Sequence, residues 1–154
     1  MPDEPKAVTT NRKAFHDYEI IEKFEAGLEL RGSEVKSLRE GKANLRDSYA
    51  VIREGELFLM GMHIGPYSHT GYLGHEPYRD RKLLLHKQEI KKLVRKVASK
   101  GMTIVPLKLF FRNGWAKAEI GLVRSKRSYQ KKRVIAERDR ARDLDRELKE
   151  RKRN

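Results

Sequence analysis

Residues 102–123 read MTIVPLKLFFRNGWAKAEIGLV. Two runs rich in β-branched and aromatic residues flank Asn113-Gly114. Asn-Gly between such runs is the strongest short-range signal of an antiparallel hairpin. Pro106 has no amide hydrogen to give, so the first strand must carry a bulge or lie at an edge there.

Working outward, the pattern repeats. Upstream, Leu83-Leu84-Leu85 is an apolar run leading into a helix. Ile90, Leu93, Val94, Val97 and Ala98 recur at i, i+3, i+4, i+7 and i+8, which marks one buried helical face. Lys91, Lys92, Arg95 and Lys96 take the other face, and Gly101 ends the helix. Residues 48–53, SYAVIR, form a strand turned by Glu54-Gly55, and ELFLMGMHI carries a second strand through Ile64. YEIIEKF, residues 18–24, is rich in β-formers, and a turn at Glu25-Ala26-Gly27 leads to a short strand from Leu28 to Arg31. Ser33 then caps a helix with Glu34 in its first turn and Gly41 past its end. Val35 and Leu38 share one face of it, Lys36 and Arg39 another.

Between these elements lies an aperiodic loop, residues 65–82, with three Gly, two Pro, three Tyr and two His. Loops this long within one domain are usually functional or mobile. Residues 1–10, with Pro2 and Pro5, read as a disordered lead-in, and structure is expected to begin near Asn11. Two helices and six or seven short strands joined by tight turns predict a mainly β fold. The expected form is a small antiparallel, oligonucleotide-binding-like β-barrel over residues 11–123, plugged or capped by a helix. A β-sandwich is the alternative.

The chain has 154 residues, with 36 Lys and Arg against 22 Asp and Glu, a net charge of +14. Charged residues make up 38%, against roughly 25% in ordinary domains. This excess calls for a polyanionic partner, nucleic acid before an anionic membrane. Residues 124–154 carry 14 basic and 6 acidic residues, a net of +8, with only Val134, Ile135, Leu144 and Leu148 as large aliphatic residues beside Tyr129. That is too little for a core. The stretch reads as a basic tail, disordered alone or a solvated helix, that orders on an anionic partner.

The absence of Cys excludes disulfide scaffolds, thiol nucleophiles and thiolate metal sites. No apolar run reaches the roughly 20 residues of a membrane span, and the N-terminus lacks the apolar core of a secretory signal. The expectation is a soluble, cytoplasmic protein. His63, His69 and His75 are spaced by six, which matches no helical or hairpin metal site, and no metal or cofactor is expected. Asp17, Glu19 and Glu22 leave a small-barrel nuclease as the one enzymatic idea. Four basic clusters stand out instead: Asn11-Arg12-Lys13, Lys36/Arg39/Lys42, Arg79/Arg81/Lys82 and Lys91/Lys92/Arg95/Lys96. Each alone suits a solvated surface; together with the tail they suit a phosphate-tracking one. Tyr67, Tyr72, Tyr78 and Trp115 either stack on bases or pin the barrel.

NRKAFHDYEI (11–20), EAGLEL (25–30) and GSEVKSLREGKANLRDSY (32–49) resemble the N-terminal half of the small protein B family, also called SsrA-binding proteins. PYRDRKLLLHKQEI (77–90), KGMTIVPLKLFF (100–111) and GWAKAEIGLV (114–123) resemble its second half, and SKRSYQKKR (125–133) its lysine-rich tail motif. Ser125 stands where that motif begins with Gly, and Gln130 where an acid is usual.

The resemblance implies an RNA-binding barrel with no bond chemistry, no catalytic residue and no cofactor. Its implied partners are transfer-messenger RNA and the stalled bacterial ribosome, including small-subunit ribosomal RNA. The tail would enter the empty messenger channel and become helical near the decoding centre. It implies RNA contacts at Glu25, Leu84 and Lys117, helped by Asn11, Arg12 and His16. The basic clusters add Lys36, Arg39, Lys42 and Lys82. In the tail, Tyr129 would stack on a ribosomal base, with Lys126, Arg127, Lys131 and Lys132 on phosphates. A monomer when free is expected. A resident ribosomal protein and the nuclease remain the competing classes.

Overall fold

Nine strands and three helices make up the described residues, 6–68 and 75–126, in a computed structural model. In chain order they are β1 (Ala7–Thr10), α1 (Arg12–Asp17), β2 (Tyr18–Leu28), α2 (Gly32–Arg39), β3 (Ala43–Asn44), β4 (Tyr49–Arg53), β5 (Glu56–Met60), β6 (His63–Ile64), β7 (Arg81–Leu84), α3 (Lys87–Lys100), β8 (Thr103–Arg112) and β9 (Trp115–Ser125). The antiparallel pairings run from β8 through β4, β5, β7, β2 and β9 and return to β8. Six strands therefore close into a barrel, which leaves few free sheet edges. β1 lies along β8, and β3 pairs with β6 as a separate ribbon.

The Asn-Gly hairpin forms as its sequence requires. Asn113 at φ 51° and Gly114 at φ 82° are both left-handed, the pair of angles a type I′ turn needs. Glu54 (φ 51°) and Gly55 (φ 76°) do the same between β4 and β5. Pro106 sits at a bulge: the β8–β9 register shifts between Pro106 and Lys108. The bulge switches which residues of β8 point inward. Ile104 and Leu109 enter the main core with Leu57, Leu59, Ile120 and Leu122, while Val105 and Leu107 face outward. Leu38 of α2 and Leu93 of α3, both fully buried, pack into that same core from the helices.

Five expectations differ from the fold. Ala7–Thr10 is a strand, not lead-in, because its backbone pairs with Lys108–Phe110. Glu25-Ala26-Gly27 is no turn: β2 runs unbroken from Tyr18 to Leu28, held by nine register partners on β9. Leu83-Leu84-Leu85 does not lead directly into the helix, because Arg81–Leu84 is a barrel strand between β5 and β2. Helix α1, six residues long, has no apolar period of its own. It forms because Asn11 caps it and Ala14 docks on the outward Val105, Leu107 and Val123. At the other end, Arg124 and Ser125 belong to β9, so the barrel extends past Val123.

Residues 75–81, at the entry to β7, are anchored by a buried ionic network. Glu34 and Arg81 are both 0% exposed and bridge at 2.5 Å between Arg81 Nε and Glu34 Oε2. Arg79 Nη2 donates to Glu34 Oε1 at 2.6 Å, and the Arg31 amide donates to that oxygen at 2.8 Å. Arg81 also donates to the carbonyls of Met62 and Pro77. Buried His75 adds a second tie. Its Nε2 lies 2.9 Å from the Ile64 carbonyl, which can only accept, so Nε2 donates and Nδ1 accepts from the Ser33 hydroxyl at 2.9 Å. Ser33, expected as the helix cap, is thus used for tertiary anchoring. No helix among the described residues is long and apolar enough to cross a membrane.

Candidate nucleic-acid interface

Strand pairing brings Leu84 of β7, Gly27 of β2, Lys117 of β9 and Phe110 of β8 into one row. Directly opposed residues share a face of the sheet, and this row faces outward: Leu84 is 48% exposed. Gly27 lets Leu84 lie close against β2. A Cβ there would stand 3.2 Å from Leu84 Cβ, so a larger residue would press Leu84 away by a few tenths of an ångström. Beside the row, Trp115 is 73% exposed at the start of β9. Leu84, Trp115, Lys117 and Val35 of α2 line a groove of about 390 Å³. An exposed Leu, an exposed Trp and a cation lining one groove make a surface for a base and its phosphate. Lys117 has no hydrogen-bond or ion-pair partner among the described residues.

One step along the barrel, Glu25 opposes Glu119, which opposes Lys108. Two carboxylates facing each other repel, and the neighbouring cations answer this. Arg112 reaches Glu25 Oε1 through Nη2 at 2.8 Å and Nε at 3.1 Å. Lys23 and Lys108 each stand 3.6 Å from Glu119. The two acids are therefore neutralised from within the face.

Helix α1 continues this surface. Lys23 lies over the half-exposed Phe15 ring at 5.9 Å, and Lys126, where the tail leaves β9, donates to the Phe15 carbonyl at 3.4 Å. Arg12 is exposed and lines a notch with Arg46 and Asn44. His16 is also exposed, with Nδ1 2.8 Å from Asp17. Lys13 is bound to Asp47 at 2.7 Å, and that hydrogen bond holds the Asp47 carboxyl below its usual range.

Asn11 is different. It is 5% exposed, donates to the carbonyls of Pro106 (2.9 Å) and Leu45 (3.3 Å), and accepts from the Ala14 amide. Its polar atoms are spent inside the protein, so it shapes α1 rather than reaching a ligand. Asn11→Ala is expected to cost about 1–2 kcal/mol of stability through the lost cap, read by urea denaturation. Arg12→Ala is expected to leave stability within about 0.5 kcal/mol.

The remaining basic clusters divide in the same way. Arg81 is wholly internal and Arg79 binds Glu34, so only Lys82 of that cluster faces outward, 3.0 Å from Glu56. Lys36 lies over Tyr67 at 5.4 Å. Arg39 lies over Phe111 at 4.3 Å and donates to the Gly114 carbonyl at 3.4 Å. Lys42 approaches the Pro66 carbonyl and Glu40. Arg39 thus reaches the groove at Gly114, while Lys36 and Lys42 lie against Tyr67 and Pro66, and all three remain exposed. Lys92 and Lys96 of α3 clasp Glu22 at 2.6 and 3.1 Å, and the Lys92 hydrogen bond leads in drawing that carboxyl below its usual range.

Asp17, Glu19 and Glu22, the acids behind the nuclease idea, do not pair with one another. Asp17 turns to His16, Glu22 to α3, and Glu19 opposes Arg124. Among the described residues no three His, Asp or Glu side chains gather to hold a metal ion. Of the tail positions, only Lys126 is described; Arg127, Tyr129, Lys131 and Lys132 lie outside the described residues, as do His69 and Tyr72. Arg112 and Glu119 are the groups that sequence reasoning missed. Their signal is alternation, of 108, 110 and 112 along β8 and of 115, 117 and 119 along β9, and the bulge at Pro106 shifts the phase on β8.

The chain matches the family model described as SmpB protein over residues 8–150. It is 51% identical to the SsrA-binding protein of Syntrophobacter fumaroxidans, covering 97% of this chain and 93% of that one. It is 54% identical to that of Sulfurihydrogenibium sp., covering 94% and 95%. A solved chain from a structure described as "tmRNA-SmpB: a journey to the center of the bacterial ribosome" is 50% identical and superposes with a TM-score of 0.65, over 77% of this chain and 83% of that one.

Proposed function

Because the chain belongs to the SmpB protein family, we propose that it is the RNA-binding factor of trans-translation, carrying transfer-messenger RNA to stalled ribosomes. The outward row Leu84–Gly27–Lys117, with Trp115 beside it, supports this most directly. It sets an apolar platform and an unpaired cation on one barrel face, where a splayed base and its phosphate would be held. Glu25, Arg12 and His16 extend that contact, with Lys36, Arg39, Lys42 and Lys82 adding field. The tail, through Lys126, Arg127, Tyr129, Lys131 and Lys132, takes the second polyanion, ribosomal RNA near the decoding centre. In this reading the protein performs no catalysis, works in the cytoplasm and is a monomer when free.

The test is binding of the full chain to a transcript of the tRNA-like part of transfer-messenger RNA across salt concentrations. With about six to ten phosphate contacts, the log–log slope is expected near −4 to −7, at about −0.7 per contact. Trp115→Ala is expected to weaken binding by about 1–3 kcal/mol while leaving that slope unchanged, as stacking loss does. A slope near zero overturns the reading.

A further inference from the structure

An acid is out of place on a face that meets phosphate, yet Glu25 lies two residues from Gly27 on the same side of β2. It is held more firmly than the other acid of the face. Glu119 is only approached, at 3.6 Å, by two lysines. Glu25 is gripped through one oxygen by two nitrogens of Arg112, at 2.8 and 3.1 Å. Its second oxygen accepts from nothing among the described residues. Arg112 is itself fixed, with its guanidinium 5.5 Å over the Phe110 ring. The Glu25 and Arg112 side chains are 41% and 44% exposed, so the fold does not depend on the pair.

We propose that Arg112 is a positioning residue for RNA recognition: it cancels the charge of Glu25 and turns the free carboxylate oxygen outward to accept from a donor on RNA, a ribose 2′-hydroxyl or a base amino group. This rests on the functional reading above and names the chemistry of one point in it. Carboxylates accept from amino donors of bases, and a 2′-hydroxyl is the group that separates RNA from DNA.

The experiment compares the full chain with Arg112→Ala, Glu25→Ala, the double variant and Arg112→Lys, each binding the tRNA-like transcript at several salt concentrations. Each alanine variant is expected to weaken binding about tenfold, the scale of one hydrogen bond to a charged group. The double variant should be no weaker than the worse single one. The salt slope of Arg112→Ala should equal that of the parent, and Arg112→Lys, which keeps a donor to Glu25, should regain most of the loss. Losses that multiply overturn the proposal. So does a slope shallower by about 0.7, the mark of a lost phosphate contact, or a lysine variant no better than alanine. If the unaltered protein does not bind the transcript, the functional reading falls and takes the proposal with it.

Discussion

Glu34→Ala is expected to lower stability by about 3–5 kcal/mol, the cost of leaving a buried guanidinium without its counter-ion. Arg81 has no route to water: it is 0% exposed, and its other donors are tied to the carbonyls of Met62 and Pro77. Losing Glu34 also frees Arg79 and the Arg31 amide at the start of α2. A drop in the urea midpoint with an unchanged m-value is the measurement. The exposed pair Lys82–Glu56 is the control, with an expected effect under about 1 kcal/mol. Replacing Glu34 and Arg81 together by apolar residues of similar size should recover much of the loss, because no fully buried charge is then stranded and Arg79, 25% exposed, still reaches water.

The same network predicts acid sensitivity. Burial is the largest influence on Glu34 and opposes ionisation, but the hydrogen bonds from Arg79, the Arg31 amide and Arg81 together outweigh it. The carboxyl therefore titrates below its usual 4.5. A carboxyl depressed in the folded state contributes stability above its unfolded pKa. That stability is lost as pH falls below 4.5 through the lower folded value. The stability of the parent should therefore fall with acid in this range more steeply than that of the doubly apolar variant, and parallel curves would show that Glu34 is not the group responsible.

Ending the chain after Lys126 is expected to abolish tagging on stalled ribosomes while leaving binding of the tRNA-like transcript within a few-fold. The cut follows from β9. Arg124 and Ser125 pair with Glu19 and Tyr18, so a cut after Val123 would damage the barrel as well as remove the tail. Residues 127–154 hold 12 basic and 6 acidic residues, and their loss should slow RNA association at low salt by removing long-range attraction. Affinity governed by the outward row should persist. Normal tagging by the shortened chain would assign the ribosomal role to the barrel instead of the tail.

Within the candidate interface, the residue types were legible but their partners were not. Leu84 sits in a triple-leucine run that reads as core, and only alternation along β7 shows that Leu83 enters the core while Leu84 leaves it. Arg79, Arg81 and Lys82 look like one basic cluster in sequence, yet one is internal, one braces α2 and one faces water. The deciding partner, Glu34, lies 47 positions from Arg81, too far for any local period to report. Asn11 likewise reads as a ligand beside Arg12 until its bonds to Leu45 and Pro106 are seen.

Sequence alone determined what depends on neighbours in the chain: the left-handed turns at Asn113-Gly114 and Glu54-Gly55, the amphipathic α3 ending at Gly101, an interruption of regular pairing at Pro106 and the surplus of positive charge. Each follows from backbone sterics, side-chain period or composition, which act over a few residues or over the whole chain at once. Tertiary structure alone decided that β2 runs straight through Gly27, that α1 exists, that β7 is a strand, and which charges face outward. Those outcomes depend on groups brought together by barrel closure, where strand register and burial outweigh local preference.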